Sequence, residues 1–143
     1  MSSLKVIKEK LGPKIINIKE HNPARVYIDI NSSDIREAVS LIFKDLNFRY
    51  ITTSGVDTRD AIEMLYHFSE DKTALVVSIR TMIHDKKKPA IDSLEDIITG
   101  ASWVEREINE LLGVNFIGHK NLKHLLLGND WPANTYPLRH DNE

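Results

Sequence analysis

Residues 48–82 read FRYITTSGVDTRDAIEMLYHFSEDKTALVVSIRTM, and their alternation decides the fold. Residues 48–56 are rich in aromatic and β-branched types, which suit a pleated, half-buried strand. Residues 61–69 alternate cleanly, with Ile62, Met64, Tyr66 and Phe68 on one side and Glu63, His67 and Ser69 on the other. Side chains along a strand point to opposite faces in turn, so this pattern predicts one buried and one open face. Residues 73–82 repeat it with Leu75, Val77 and Ile79. Asp57-Thr58-Arg59-Asp60 and Glu70-Asp71-Lys72 separate the three runs and read as short turns. Three strands joined in this way form an antiparallel meander.

Upstream, Val26, Ile28 and Ile30 alternate with Arg25, Tyr27 and Asp29 over residues 25–30, and residues 14–19 alternate more weakly. His21-Asn22-Pro23 sits between them, so the pair reads as a β-hairpin. A first helix, capped by Ser2 or Ser3, carries Leu4, Ile7 and Leu11 on one face and stops at Gly12-Pro13. Asn31-Ser32-Ser33-Asp34 is a dense capping signal for a second helix reaching about Leu46. Its stripe is Ile35, Val39, Ile42 and Leu46, with Phe43 beside it.

Downstream, Lys86 to Pro89 reads as a loop, and Asp92 or Ser93 as the opening of a short helix. A longer helix runs from about Thr99 to Leu112 and ends at Gly113. An extended piece, Val114 to Phe116, and one helical turn near Asn121 to Leu127 lead into an irregular end. The fold class is therefore α+β: a mostly antiparallel sheet with helices on one face, followed by an irregular C-terminal docking tail. Residues 1–118 form the body, including the helix 99–112, and residues 119–143 the tail.

The chain of 143 residues contains no cysteine, which excludes disulfides, thiolate-held zinc or iron–sulfur clusters and cysteine nucleophiles. A net charge of −2 argues against nucleic acid, and Lys86-Lys87-Lys88 reads as a solvated loop. No window approaches the ~20 apolar residues that span a bilayer. MSSLKVIKEKLG is too polar for a secretory signal. The expected location is cytoplasmic, with any membrane contact made through a partner.

Sites for chemistry are sparse. Nothing resembles a glycine-rich phosphate loop. His119 and His124 are five apart, off the spacing that aligns two metal ligands on a helix, so these and His140 read as hydrogen-bonding or surface histidines. Turn chemistry accounts for Asp57 and Asp60, and ion pairing with Arg106 for Glu105 and Glu107. On the helix 99–112, Ala101, Val104, Ile108, Leu111 and Leu112 form a core stripe, and Trp103, Arg106, Glu107 and Glu110 gather on a flank. That flank is either a solvated ion-pair face or a docking strip, since Trp and Arg are enriched at interface hot spots. Leu125-Leu126-Leu127, Trp131-Pro132 and Tyr136-Pro137-Leu138 then place large apolar groups on irregular backbone, which must pack on the body or on a partner.

The run Trp103-x-Glu105-Arg106-Glu107-x-x-Glu110-Leu111-Leu112-Gly113-Val114-x-Phe116-x-Gly118-His119-x-Asn121-Leu122-Lys123-His124-Leu125-Leu126-Leu127 resembles the signature of the thirty-kilodalton family of respiratory complex I, the C component of NADH:quinone oxidoreductase. Asp130-Trp131-Pro132 and Tyr136-Pro137-Leu138-Arg139-x-Asp141 resemble that family's ending. Glu110 stands where the family usually has Asp, and His140 where a basic residue commonly follows.

The resemblance implies a non-catalytic subunit of the peripheral arm of a complex I-like oxidoreductase, of NADH:quinone or energy-converting [NiFe] hydrogenase type. It would lie peripheral to the cytoplasmic membrane. It would bind no cofactor itself; NADH, quinone, iron–sulfur clusters or Ni–Fe would belong to partner subunits. Those partners are a hydrogenase-large-subunit-like protein (the 49-kDa, D-type component) and iron–sulfur subunits. The residues expected at the partner interface are Trp103, Glu105, Arg106, Glu107, Glu110, Gly113, Phe116, Gly118, His119, Leu125, Asp130, Trp131, Pro137, Leu138 and Arg139. Arg139 is expected to pair with a partner carboxylate. The rival readings are a free-standing adaptor, or a small enzyme in which His119 or His124 meets an acidic residue or a metal.

Overall fold

A computed structural model describes residues 2–122 and 136–139. Its five-stranded sheet has the order β1-β2-β5-β4-β3, from β1 (Ile15–Asn22), β2 (Arg25–Ile30), β3 (Arg49–Asp57), β4 (Ile62–Glu70) and β5 (Leu75–Ile83). The hairpin β1–β2 is antiparallel, as its sequence predicts. Strand β2 then pairs with β5 in parallel, Arg25 opposite Val76 through Asp29 opposite Arg80. Alternation fixes which face a residue occupies but not which strand lies beside it, so this pairing is a finding. The fold is α+β, with a mixed, mostly antiparallel sheet. The chain's contacts gather into two compact units, residues 1–52 with 65–81 and residues 53–64 with 82–143.

In the first unit, α1 (Ser3–Leu11) is capped by Ser2, whose Oγ accepts from the Lys5 N–H at 3.2 Å. It buries Ile7 and Leu11. Helix α2 (Ile35–Val39) buries Ile35, Ala38 and Val39 and continues as a wider, π-helical stretch, Ser40–Asp45. The Leu46 N–H reaches back five residues to the Leu41 carbonyl at 2.9 Å. The extra residue per turn shifts the apolar stripe, and Leu46 ends half-buried while Leu41 and Ile42 are buried. The expected side-chain cap also differs: a 3₁₀ turn, Ser32–Asp34, leads into α2 without a capping side chain. Val26, Ile28, Ile30, Tyr66, Phe68, Val77 and Ile79 complete this unit's core.

In the second unit, α3 (Ala101–Leu112) covers the tip of the β3–β4 hairpin. A Cβ on Gly55 would stand 2.8 Å from the Leu112 Cδ1, so a side chain there would have to displace that methyl group. The hairpin turn is closed by Thr58, whose Oγ1 donates to the Ala61 carbonyl at 2.6 Å. Asp57 is not part of the turn; it ends β3 with its carboxylate buried. A small parallel pair, β6 (Ala90–Asp92) and β7 (Asn115–Ile117), carries Ile91 and Phe116 into the core. The short helix expected from Asp92 or Ser93 is instead the end of β6 and a turn, in which Ile97 and Ile98 donate to the Leu94 carbonyl.

Candidate docking site around α3

The wheel of α3 is more specialised than its apolar pattern implies. Ala101, Ile108 and Leu112 are buried, Val104 and Leu111 are half-buried, and two carboxylates, Glu105 and Glu110, are buried as well. Glu105 therefore does not join Arg106 in a surface ion pair. Its Oε1 accepts from the Ser93 hydroxyl at 2.6 Å and its Oε2 from the Leu94 N–H at 2.8 Å. A carboxylate accepting a backbone N–H and a hydroxyl closes the turn that precedes the helix. Burial pushes the Glu105 carboxyl above its ordinary range, and the Ser93 and Leu94 hydrogen bonds and the nearby His119 oppose that rise.

One turn before Glu105's contact, Ser102 and Glu95 meet His119. The His119 imidazole is buried, with Nε2 3.0 Å from Glu95 Oε2, 3.1 Å from the Ser102 carbonyl and 3.2 Å from Ser102 Oγ. Its Nδ1 accepts from the Asn121 N–H at 3.0 Å. That bond assigns the proton to Nε2, which then donates. His119 thus meets an acidic residue, as the small-enzyme reading asks, and a serine stands beside them, but in the wrong order for nucleophilic catalysis. A histidine that activates serine must accept its proton at the nitrogen facing it, with the carboxylate on the other nitrogen. Here Glu95 touches both Ser102 and the same ring nitrogen, so the arrangement ties the 93–98 turn to α3 and to the 118–122 loop. Among the described residues no group of three acidic or histidine side chains is placed to hold a metal ion.

The far end of α3 is closed by residues 136–139. Gly113 is left-handed, with φ 78°, and its N–H returns to the Asn109 carbonyl at 2.9 Å. Tyr136 lies against it so closely that a Cβ would stand 2.6 Å from the ring. Tyr136-Pro137-Leu138-Arg139 is a tight turn, Arg139 N–H to the Tyr136 carbonyl at 3.0 Å. The Leu138 N–H donates to the Leu111 carbonyl at 2.9 Å, and Arg139 Nη1 to the Leu112 carbonyl at 3.2 Å. Carbonyls at a helix C-terminus lack partners within the helix and attract a cation, and this turn supplies both.

Arg139, expected to pair with a partner carboxylate, lies beside one within the chain. Arg139 is buried, its Nη2 donates to the Lys86 carbonyl at 2.6 Å, and its Nε lies 3.8 Å from Asp57 Oδ1. Lys86, expected in solvent, puts its Nζ 2.6 Å from the same Asp57 oxygen and 2.6 Å from the Thr58 carbonyl. No spacing rule joins positions 57, 86 and 139, so sequence reasoning missed Asp57 and Lys86. The arginine at position 139 was the one signal that asked for a carboxylate.

The residues proposed from sequence thus divide. Glu105, Glu110, Phe116 and Arg139 are buried in this chain. The His119 ring and Gly113 are enclosed by contacts within it. Trp103, Glu107, Gly118, Pro137 and Leu138 are exposed, and Arg106 is half-buried. Trp103 is 61% exposed, with the Arg106 guanidinium 5.2 Å from its ring centroid. Leu125, Asp130 and Trp131, with His124, His140 and most of the turn expected at 121–127, lie outside the described residues.

In this α+β module α3 is fixed at both ends, and Trp103 stands exposed on it with the Arg106 guanidinium over its ring. Residues 28–143 match the family of the respiratory-chain NADH dehydrogenase 30 Kd subunit, and the chain belongs to that family. The C component of the NADH-quinone oxidoreductase of Chloroherpeton thalassium is 31% identical over 96% of this chain and 58% of its own length. The C/D component of the NADH-quinone oxidoreductase of Bacteroides thetaiotaomicron is 36% identical over 61% of this chain and 17% of its own length. The chain thus spans a little over half of the first relative and a small part of the second. Among solved structures, a chain of the membrane-bound sulfane sulfur reductase, an archaeal respiratory membrane complex, shares the fold with a TM-score of 0.86. It is 24% identical, and the match covers 98% of this chain and 83% of that one.

Proposed function

We propose that this protein is a structural subunit of a complex I-like oxidoreductase and that it packs on a D-type, 49-kDa partner through the outer face of α3. The observation that carries the reading is Trp103, 61% exposed beneath the Arg106 guanidinium in a chain of this family. An exposed indole on a rigid helix is the residue type that anchors interfaces. The C/D relative supports the choice of partner, because its name joins the two components in one protein. The cysteine-free composition supports a role without an iron–sulfur cluster of its own. NADH, quinone or Ni–Fe chemistry then belongs to neighbouring subunits. Among the described residues no helix is long and apolar enough to cross a membrane, which supports peripheral attachment through the complex.

Trp103→Ala tests this. An exposed side chain can be removed with a stability change within about 0.5 kcal/mol, while a central anchor is worth at least ~2 kcal/mol of binding. The variant chain should melt like the wild type, and its recovery in an affinity-purified complex should fall severalfold or more. Recovery of the complete complex in wild-type yield would refute α3 as the docking face.

A further inference from the structure

The open face of the sheet in the first unit carries a second binding feature, which shares no residue with the α3 strip. Lys19, His21, Tyr27, Asp29 and Arg80 line a cleft of about 270 Å³. Strand pairing sets them side by side: Lys19 opposite Tyr27 on β1 and β2, and Asp29 opposite Arg80 on β2 and β5. Asp29, the cleft's one carboxylate, is held by a two-pronged pair, Nε to Oδ1 and Nη2 to Oδ2, each at 2.7 Å. That pair offsets its charge and fixes the guanidinium plane. Among the described residues Lys19 and His21 have no ion pair and are exposed. Glu20, between them in sequence, turns to the other face and lies 3.7 Å from Lys8 on α1. Arg25 adds a further exposed cation to this side of β2 and, after burial, helps hold His67 below the ordinary histidine range.

We infer that this cleft receives an acidic segment of a partner protein, one carboxylate side chain entering between Lys19, Tyr27 and Arg80. The charge of the free groups is positive, the Tyr27 ring offers an apolar wall, and the volume suits one or two side chains rather than a cofactor. Strand addition is the less suitable mode. The β1–β2 register shifts between Ile15 and Asn17 and again between Glu20 and Asn22, and such irregularities blunt an edge. Side-chain capture on the face therefore carries the contact.

The test titrates the full chain with an oligoglutamate peptide and follows backbone amide shifts by NMR. Oligolysine, inorganic phosphate and phosphatidylglycerol vesicles serve as parallel arms. The expected result is saturable shifts centred on Lys19, His21, Tyr27 and Arg80 with oligoglutamate alone, weakening as salt rises. Lys19→Glu with His21→Glu should reduce that affinity at least about tenfold. Because both side chains are exposed, the variant should keep the wild-type melting point; Arg25→Glu serves as a second variant if it does not. Absence of localised shifts, equal shifts from phosphate, or a response to vesicles instead of the peptide would each overturn the proposal. Loss of assembly in Trp103→Ala reads different residues, so either claim can fail alone.

Discussion

The Arg80–Asp29 and Arg139–Asp57 pairs are built on opposite principles. Arg80 and Asp29 meet across parallel strands in two parallel hydrogen bonds, with 38% and 19% of their side chains exposed. Arg139 and Asp57 meet at 3.8 Å with 6% and 0% exposed. The better geometry belongs to the pair that matters less to stability. Near water, two charges exchange solvation for each other at little net gain. In the interior, a charge left alone retains its full desolvation penalty. Arg139 also spends its other nitrogens on the Leu112 and Lys86 carbonyls, so it closes a helix end and a loop together.

Asp57→Ala should therefore have the largest effect. It leaves Lys86 and Arg139 facing each other without a carboxylate, and breaking a buried pair in this way destabilises by about 3–5 kcal/mol. Urea melts should show this as a lowered midpoint. Arg139→Met should be milder, about 1–3 kcal/mol, because Asp57 keeps Lys86 while the Leu112 carbonyl loses its donor. A double-mutant cycle that returned simple additivity would show that the two residues do not couple. Next comes Gly113→Ala. A left-handed alanine costs about 1–2 kcal/mol, and its Cβ would push Tyr136 from its seat. Hydrogen exchange at Leu138 should accelerate in this variant; unchanged protection there would detach Tyr136 from the argument.

The same contrast explains what could be read from the sequence. The five strands were legible because alternation is local: Ile62, Met64, Tyr66 and Phe68 are all buried, as the pattern predicts. The parallel β2–β5 pairing was not, because nothing within either strand names its neighbour. On α3 the wheel located Ala101, Ile108 and Leu112 but set Glu110 on an outer flank, and Glu105 read as an ion-pair partner of Arg106; both are buried. A wheel assumes that charge faces water, and it cannot see a turn such as 93–98 that comes to be capped. Asp57 reads as a turn residue for a similar reason, since Asp-Thr-Arg-Asp has turn composition. The ending through Arg139 was recognisable, but only the structure shows that its guanidinium is turned inward.

Glu105 gives a smaller and pH-dependent effect. Its proton is bound more tightly in the folded chain than in the unfolded one, because burial raises the folded value above the ordinary 4.5. Within the window between those two values the folded state holds more protons, so this group's contribution falls as pH rises and levels off above the raised value. Glu105→Gln removes the titration and keeps an acceptor for the Leu94 N–H. As pH rises from the ordinary carboxylate range, the stability of the variant minus that of the wild type should increase. A flat difference would mean that the Ser93 and Leu94 hydrogen bonds fully offset the burial.

The smallest effect is expected at the better-formed pair. Asp29→Asn removes one charge from the two-pronged contact and leaves Arg80 with access to water, so stability should change by less than about 1 kcal/mol. The same substitution removes the cleft's one carboxylate from beside Lys19 and His21. Affinity for an acidic peptide should therefore rise while the melting point barely moves, the reverse of the pattern at Asp57. The two readouts separate the roles: a stability loss of the size expected at Asp57 would make Asp29–Arg80 a structural pair, and unchanged peptide affinity would remove Arg80 from the cleft's chemistry. Only the combination of a small stability change and tighter peptide binding keeps the distinction between a buried pair that holds the fold and an exposed pair that tunes a surface.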